Sequence, residues 1–245
     1  MSLSTPAIPL PPQEFIDAVG GGDYMAIGRH VFELVRSHCG ARRDDRILDI
    51  GSGCGRAAVH FTEYLDPEGS YDGFDVVLPM VEWCRNHISQ AFPHFRFQHA
   101  DLKNTRYSDI GTEASEYVFP YPDNSFDVVF ATSVFTHLLP TSAERYANEI
   151  ARVLKPHRRA ILTFFIINDD FRSQIAAGDK IIPFPYSRGD YAVMDENKPE
   201  AVIAFEETRA RQILEGGGLR IVDMSYGFWR KPGGWTYQDV FLVSN

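Results

Sequence analysis

The sequence predicts an α/β protein built on an open, doubly wound, mostly parallel sheet, and three features carry that prediction. Residues 46–56 read R-I-L-D-I-G-S-G-C-G-R, an apolar strand passing through an acid into a glycine-rich turn at a helix start. Strand-like segments ending in an acid or glycine then alternate with helical ones, an order that implies parallel pairing through right-handed crossovers. Residues 126–131, F-D-V-V-F-A, are an almost unbroken apolar run, as a central strand buried on both faces requires.

The elements follow in order. Residues 1–12 carry Pro6, Pro9, Pro11 and Pro12, too many fixed φ angles and missing donors for a regular element, so an extended arm is expected. Residues 14–39 place Phe15, Val19, Met25, Ile27, Val31, Phe32, Leu34 and Val35 at helical spacing, interrupted by Gly20-Gly-Gly22. Residues 1–40 thus read as an arm and helical cap, and 41–245 as one domain. After the first strand, residues 55–65 read as a helix stopped at Asp66-Pro67. Residues 70–76 are the second strand, 78–92 a helix and 95–98 the third strand, with 105–124 turn-rich. Residues 142–154 give a helix and 159–165 a fifth strand. Residues 168–200 are too long for an idle connection and read as an insert over the pocket. A helix at 206–215 ends at Gly216-Gly-Gly218, and strands at 219–224 and 236–243 close the chain with one antiparallel edge strand.

At 245 residues the chain can bury a sizeable core as one domain. Its net charge of −9 gives no footprint for a phosphate backbone, so nucleic acid is not expected as a partner. Cys39, Cys54 and Cys84 are odd in number and lack C-x-x-C spacing, which points away from a disulfide framework or zinc site and toward a reducing cytoplasm. No apolar run approaches the ~18 residues of a membrane span, and the start M-S-L-S-T-P lacks a basic flank, so neither spanning nor secretion is expected.

Gly51, Gly53 and Gly55 form G-x-G-x-G with Asp49 two residues before the first glycine, rather than the G-x-G-x-x-G that seats a dinucleotide pyrophosphate. Missing side chains let a ligand reach backbone N–H groups at the helix start. With Gly73-Phe-Asp75-Val-Val, Ala100-Asp101-Leu, Ser125-Phe-Asp-Val-Val-Phe-Ala-Thr-Ser133 and Val153-Leu-Lys-Pro156, the segment 40–165 resembles the ordered motifs of class I S-adenosylmethionine-dependent methyltransferases. The resemblance implies a Rossmann-like seven-stranded sheet with its last strand reversed. It also implies S-adenosylmethionine as cofactor, S-adenosylhomocysteine as product and a small-molecule acceptor. Shorter pieces, among them Tyr237-Gln-Asp-Val240, look like bacterial methyltransferases of surface saccharides and secondary metabolites.

The resemblance assigns Asp75 to the ribose diol, whose hydroxyls need acceptors, and places Val76 beside it; a helix N-cap is the competing role for Asp75. Asp101 and the Leu102 N–H are assigned to the adenine edge, against an Asx turn. Asp49, Gly51, Ser52, Gly53 and Gly55 would hold the methionine end. Arg56 would pair with the methionine carboxylate or a substrate acid, and Ala131, Thr132 and Ser133 would flank the cofactor after the fourth strand. Tyr24 or Met25 would come near the cofactor from the leading segment. The N-P-P-Y motif of many N- and C-methylating relatives is absent after that strand, which favours an oxygen acceptor. His137, which titrates near neutrality, is then the candidate base for the hydroxyl proton. Asn168-Asp169-Asp170 supplies only half of a hard-cation ligand set, so no metal is expected. Among the aromatics, Tyr186, Trp229 and Trp235 are the candidate acceptor walls. Two alternatives stay open: a non-catalytic S-adenosylmethionine-binding module, and an NAD(P)-dependent oxidoreductase, which the glycine spacing and the absent Tyr-x-x-x-Lys pair disfavour. The oligomeric state is left open.

Overall fold

The structure is a computed structural model that describes residues 8–103, 111–179, 181–230 and 232–245. Pro6 and part of the turn-rich stretch 105–124 lie outside the described residues. The chain divides into two compact units, residues 1–100 with 126–130, and residues 101–125 with 131–245.

The first unit begins with helices α1 (Gln13–Ala18) and α2 (Tyr24–Cys39). Gly20, Gly21 and Gly22 separate them at φ 97°, 66° and 76°, left-handed backbone that bars helix continuation. The Asp23 carboxylate accepts the Ala26 N–H at 2.9 Å and caps α2, and Gly40 ends it at φ 68°. Strand β1 (Arg46–Ile50) pairs in parallel with β2 (Ser70–Asp75), and β2 with β3 (Phe95–His99). Helices α3 (Ala58–Phe61) and α4 (Leu78–Cys84) intervene, and β4 (Phe126–Ala131) follows. The predicted helix over 55–65 shrinks to α3, because turns flank it on both sides. The predicted helix over 78–92 is α4 continued by a π-helical turn, Arg85–Ser89. Ile47, Leu48 and Ile50 are fully buried, and the buried rings of Phe61, Tyr71, Phe95 and Phe130 pack against one another.

The second unit contains α5 (Pro140–Val153), β5 (Leu154–Phe164), α6 (Asp169–Ala177), α7 (Glu207–Gly216), β6 (Arg220–Ser225) and β7 (Asp239–Ser244). Strand β7 is antiparallel to both β5 and β6. The seven-stranded sheet runs β4-β1-β2-β3 within the first unit and β6-β7-β5 within the second. This is the expected fold class, with the reversed strand lying one place in from the β6 edge. The predicted insert is more regular than its composition suggests. Short strands Ile166–Ile167, Ile203–Glu206, Tyr191–Val193 and Tyr186–Ser187 form a second sheet beside α6. Phe165, Ile167, Phe171, Phe184, Ala192, Ala204 and Trp229 make its apolar centre.

Candidate functional site

In the first unit the glycine-rich loop leaves the carboxyl end of β1, where its neighbours β2 and β4 lead away on opposite sides. Open parallel sheets bind ligands at that switch in strand order. The N–H groups of Gly51 and Ser52 both donate to the Phe74 carbonyl, at 2.9 and 3.0 Å, which folds the loop onto the end of β2. That approach needs Gly73: a Cβ there would lie 2.9 Å from both Ser52 Cβ and the Phe97 ring. Gly51, Gly53 and Gly55 hold φ of 73°, 51° and 75°, a conformation that L side chains resist.

Asp75, half-buried at the end of β2, is brought against this loop. Its Oδ2 accepts the Gly53 N–H and its Oδ1 the Val77 N–H, each at 2.8 Å. Burial pushes its carboxyl above the ordinary range, while the N–H groups of Val77, Gly53 and Val76 pull it back. The N-cap position of α4 is Val77, whose own side chain makes no capping bond, and Asp75 holds the N–H of that residue. Asp49 is buried beneath the loop and accepts the Tyr71 hydroxyl at 2.5 Å. Desolvation raises its pKa to about 7, with nearby Asp75 adding to the rise and the Tyr71 hydrogen bond opposing it.

The leading helices meet the loop as well. The buried Tyr24 hydroxyl donates to the Cys54 carbonyl at 2.8 Å, whereas Met25 is exposed and engages His60 through its carbonyl. Val19 covers Gly53, its Cγ1 2.9 Å from where a Cβ would stand. Arg56 turns toward this segment, donating to the Gly21 carbonyl at 3.1 Å and the Ile16 carbonyl at 3.5 Å. Burial lowers its pKa. Ser52 Oγ and Arg56 Nε are buried without a hydrogen-bond partner among the described residues. Orphaned donors beside a side-chain-free loop fit a bound polar group.

In the second unit, Asp101 is exposed and its carbonyl accepts the Thr112 N–H at 3.0 Å, while Leu102 is buried in a short strand. Ala131 is buried at the end of β4, Thr132 is half-buried, and Ser133 follows at φ 59°. His137 lies at the end of the short turn Phe135–His137, half-buried, with Nδ1 3.0 Å from the Glu200 carbonyl. A carbonyl oxygen only accepts, so Nδ1 carries a proton and donates to it. Sequence reasoning missed Thr163 and Gln238, both hydrogen-bonded to Ser133; Gln238 reaches Thr163 through the antiparallel register of β7 on β5, which leaves no local motif. Of the candidate aromatic walls, Trp229 is core, with its indole N–H on Asp239 at 3.0 Å, Trp235 is half-buried and Tyr186 is exposed. Asp169 and Asp170 occupy the first turn of α6, capped by Asn168. Among the described residues no three His, Cys, Asp or Glu side chains gather as metal ligands.

A family profile described as "Methyltransferase domain" matches residues 47–157. An uncharacterized methyltransferase, YcgJ of Bacillus subtilis, is 31% identical over 121 residues, covering 49% of this chain and 41% of that protein. The ubiquinone/menaquinone biosynthesis C-methyltransferase UbiE of Stutzerimonas stutzeri is 30% identical over 151 residues, covering 61% of this chain and 51% of its own. The matches thus span about half the length of these curated relatives. The 1,6-didemethyltoxoflavin-N1-methyltransferase of Burkholderia thailandensis superposes with a TM-score of 0.60 over 98% of this chain and 93% of that one at 17% identity, which establishes a common fold. Over residues 47–157 the chain therefore carries the sequence pattern of the methyltransferase domain family, set in the fold class that the toxoflavin enzyme shares.

Proposed function

We propose that this protein is an S-adenosylmethionine-dependent methyltransferase that acts on an oxygen of a small molecule, a sugar or a secondary metabolite. The observation that carries the reading is the junction of the glycine loop with Asp75, where the Gly53 N–H meets the carboxylate at the end of β2. A carboxylate offers about four lone-pair sites, so Asp75 keeps acceptor capacity for a vicinal diol after bonding Gly53 and Val77. Gly51, Ser52, Gly53 and Gly55 would take the amino-acid end, with the Asp49 charge available to an ammonium group. Arg56 braces the leading segment over that loop. Val76, next to Asp75, would flank the nucleoside. S-adenosylmethionine, when bound, supplies a methyl group on a sulfonium. One of the known structures with this fold holds S-adenosylhomocysteine, which supports that choice of cofactor.

The similar enzymes include a C-methyltransferase and an N1-methyltransferase, so the choice of oxygen rests on this chain's own residues. His137, whose Nδ1 donates to the Glu200 carbonyl, is the residue we assign as the base for a hydroxyl proton. Positioning supplies most of the remaining rate, as in any in-line displacement between oriented groups. The test is incubation with methyl-labelled S-adenosylmethionine and a panel of sugar, phenol, amine and thiol acceptors. Label on oxygen acceptors supports the reading; label confined to amines or thiols removes its oxygen part, and label on no acceptor, with cofactor bound, favours a non-catalytic binding module.

A further inference from the structure

Ser133 is held in the left-handed region at φ 59°, a conformation that costs a serine about 1 kcal/mol or more and persists only where neighbours enforce it. Two neighbours do so. The Ser133 N–H donates to Thr163 Oγ1 at 2.8 Å, and the Ser133 hydroxyl donates to Gln238 Oε1 at 3.2 Å. The Thr163 hydroxyl reaches the same Gln238 oxygen at 2.6 Å. The carboxamide oxygen of Gln238 thus accepts both hydroxyls, from Ser133 and from Thr163. Two donors on one oxygen lock that carboxamide. Its Nε2, with two N–H groups, has no hydrogen-bond acceptor among the described residues.

The surroundings give this free donor a direction. Gln238 directly precedes β7, whose Asp239 pairs with Phe164 at the carboxyl end of β5, the side on which open α/β sheets bind ligands. Beside it Tyr237 and Phe228 are 47% and 51% exposed, although both are large aromatics, and their rings pack edge to face at 5.7 Å. Tyr237 also stands edge-on to Phe165 at 6.3 Å, which fixes its ring. An amide donor held by two hydroxyls, next in sequence to an exposed, braced ring, suits a flat ligand carrying an oxygen acceptor. It disfavours a protonated amine, which brings only donors.

We propose that Gln238 is an acceptor-binding residue, whose Nε2 donates to an oxygen of a planar phenol or enol-type ligand lying against Tyr237 and Phe228. The proposal rests on the methyltransferase reading for the ligand's role as methyl acceptor and on the second unit's own geometry for its chemistry. The decisive experiment is an NMR titration of the full chain, loaded with S-adenosylhomocysteine, that follows the Gln238 side-chain amide signals during addition of phenol, catechol and 4-hydroxyacetophenone. A saturable shift of those signals is expected, together with about tenfold weaker probe binding in Gln238→Leu and S-adenosylhomocysteine affinity within about twofold of the parent. Failure of all three probes to bind the parent overturns the proposal. So does binding that leaves the Gln238 signals unmoved, or a Gln238→Leu chain that binds the probe as tightly as the parent. The titration of the parent stands on its own should the Leu variant fail to fold. Failure of S-adenosylhomocysteine to bind the parent counts against the methyltransferase reading, and the probe titration then still decides the phenol site.

Discussion

Asp49 and His137 show how far single side chains can be read from their partners. Asp49 sits beneath the glycine loop with a carboxyl pushed to about 7, first by burial and then by Asp75. In the unfolded chain the same group titrates near 4. Between those values the folded state binds more protons, so its contribution to stability is present below about pH 4 and is lost as the pH rises through about 7. Asp49→Asn should therefore flatten the stability profile over that window, by up to about 1.4 kcal/mol per pH unit at its steepest, as followed by urea denaturation; an unchanged slope counts against the assignment. The same protonation opposes an ammonium ligand, so S-adenosylhomocysteine should bind more tightly as the pH rises through about 7. For His137, replacement by Ala should lower turnover on a hydroxyl acceptor about a hundredfold while cofactor affinity stays constant. Near-normal turnover would remove it from the mechanism.

At the level of elements, α6 offers a sharper test than its length suggests. Asn168 Oδ1 accepts the Phe171 N–H at 3.0 Å and the Arg230 guanidinium at 3.0 Å, and its Nδ2 donates to Glu207 and to the Tyr226 hydroxyl. Asn168→Ala removes the cap and leaves the buried Arg230 with one partner fewer. It should cost about 2–4 kcal/mol, the sum of a cap and a charged hydrogen bond, and lower the melting temperature by several degrees. Asp23→Ala loses only the cap of α2 and should cost about 1 kcal/mol. The glycine loop, Asp75 and the long strands were legible because strand periodicity, glycines at fixed spacing and a terminal acid are all local signals. The second sheet was not: strands of two to four residues such as Tyr186–Ser187 contain too few alternations to register. Nor was the approach of Gln238 to Thr163, 75 positions away, which arises through antiparallel pairing, or its reach to Ser133, 105 positions away. Trp229 was misread because an aromatic near a loop looks alike in sequence whether it lines a ligand or fills a core.

At the scale of the whole molecule, the account reduces to a fold whose loops after β1 and β2 converge on one polar cradle. The Gly53 N–H on Asp75, the orphaned Ser52 hydroxyl and the three positive-φ glycines all belong to one compact unit. A substitution at Gly53 tests this poorly, since any side chain there meets Val19 first. Asp75 tests it well. The most direct measurement is a calorimetric titration of the protein and of Asp75→Ala with S-adenosylhomocysteine. The account predicts saturable binding of one equivalent to the parent, weakened by about 1.5–3 kcal/mol in the variant, the range for hydrogen bonds to a charged group. A parent chain that releases no heat with this nucleoside, or a variant that binds it undiminished, would contradict it.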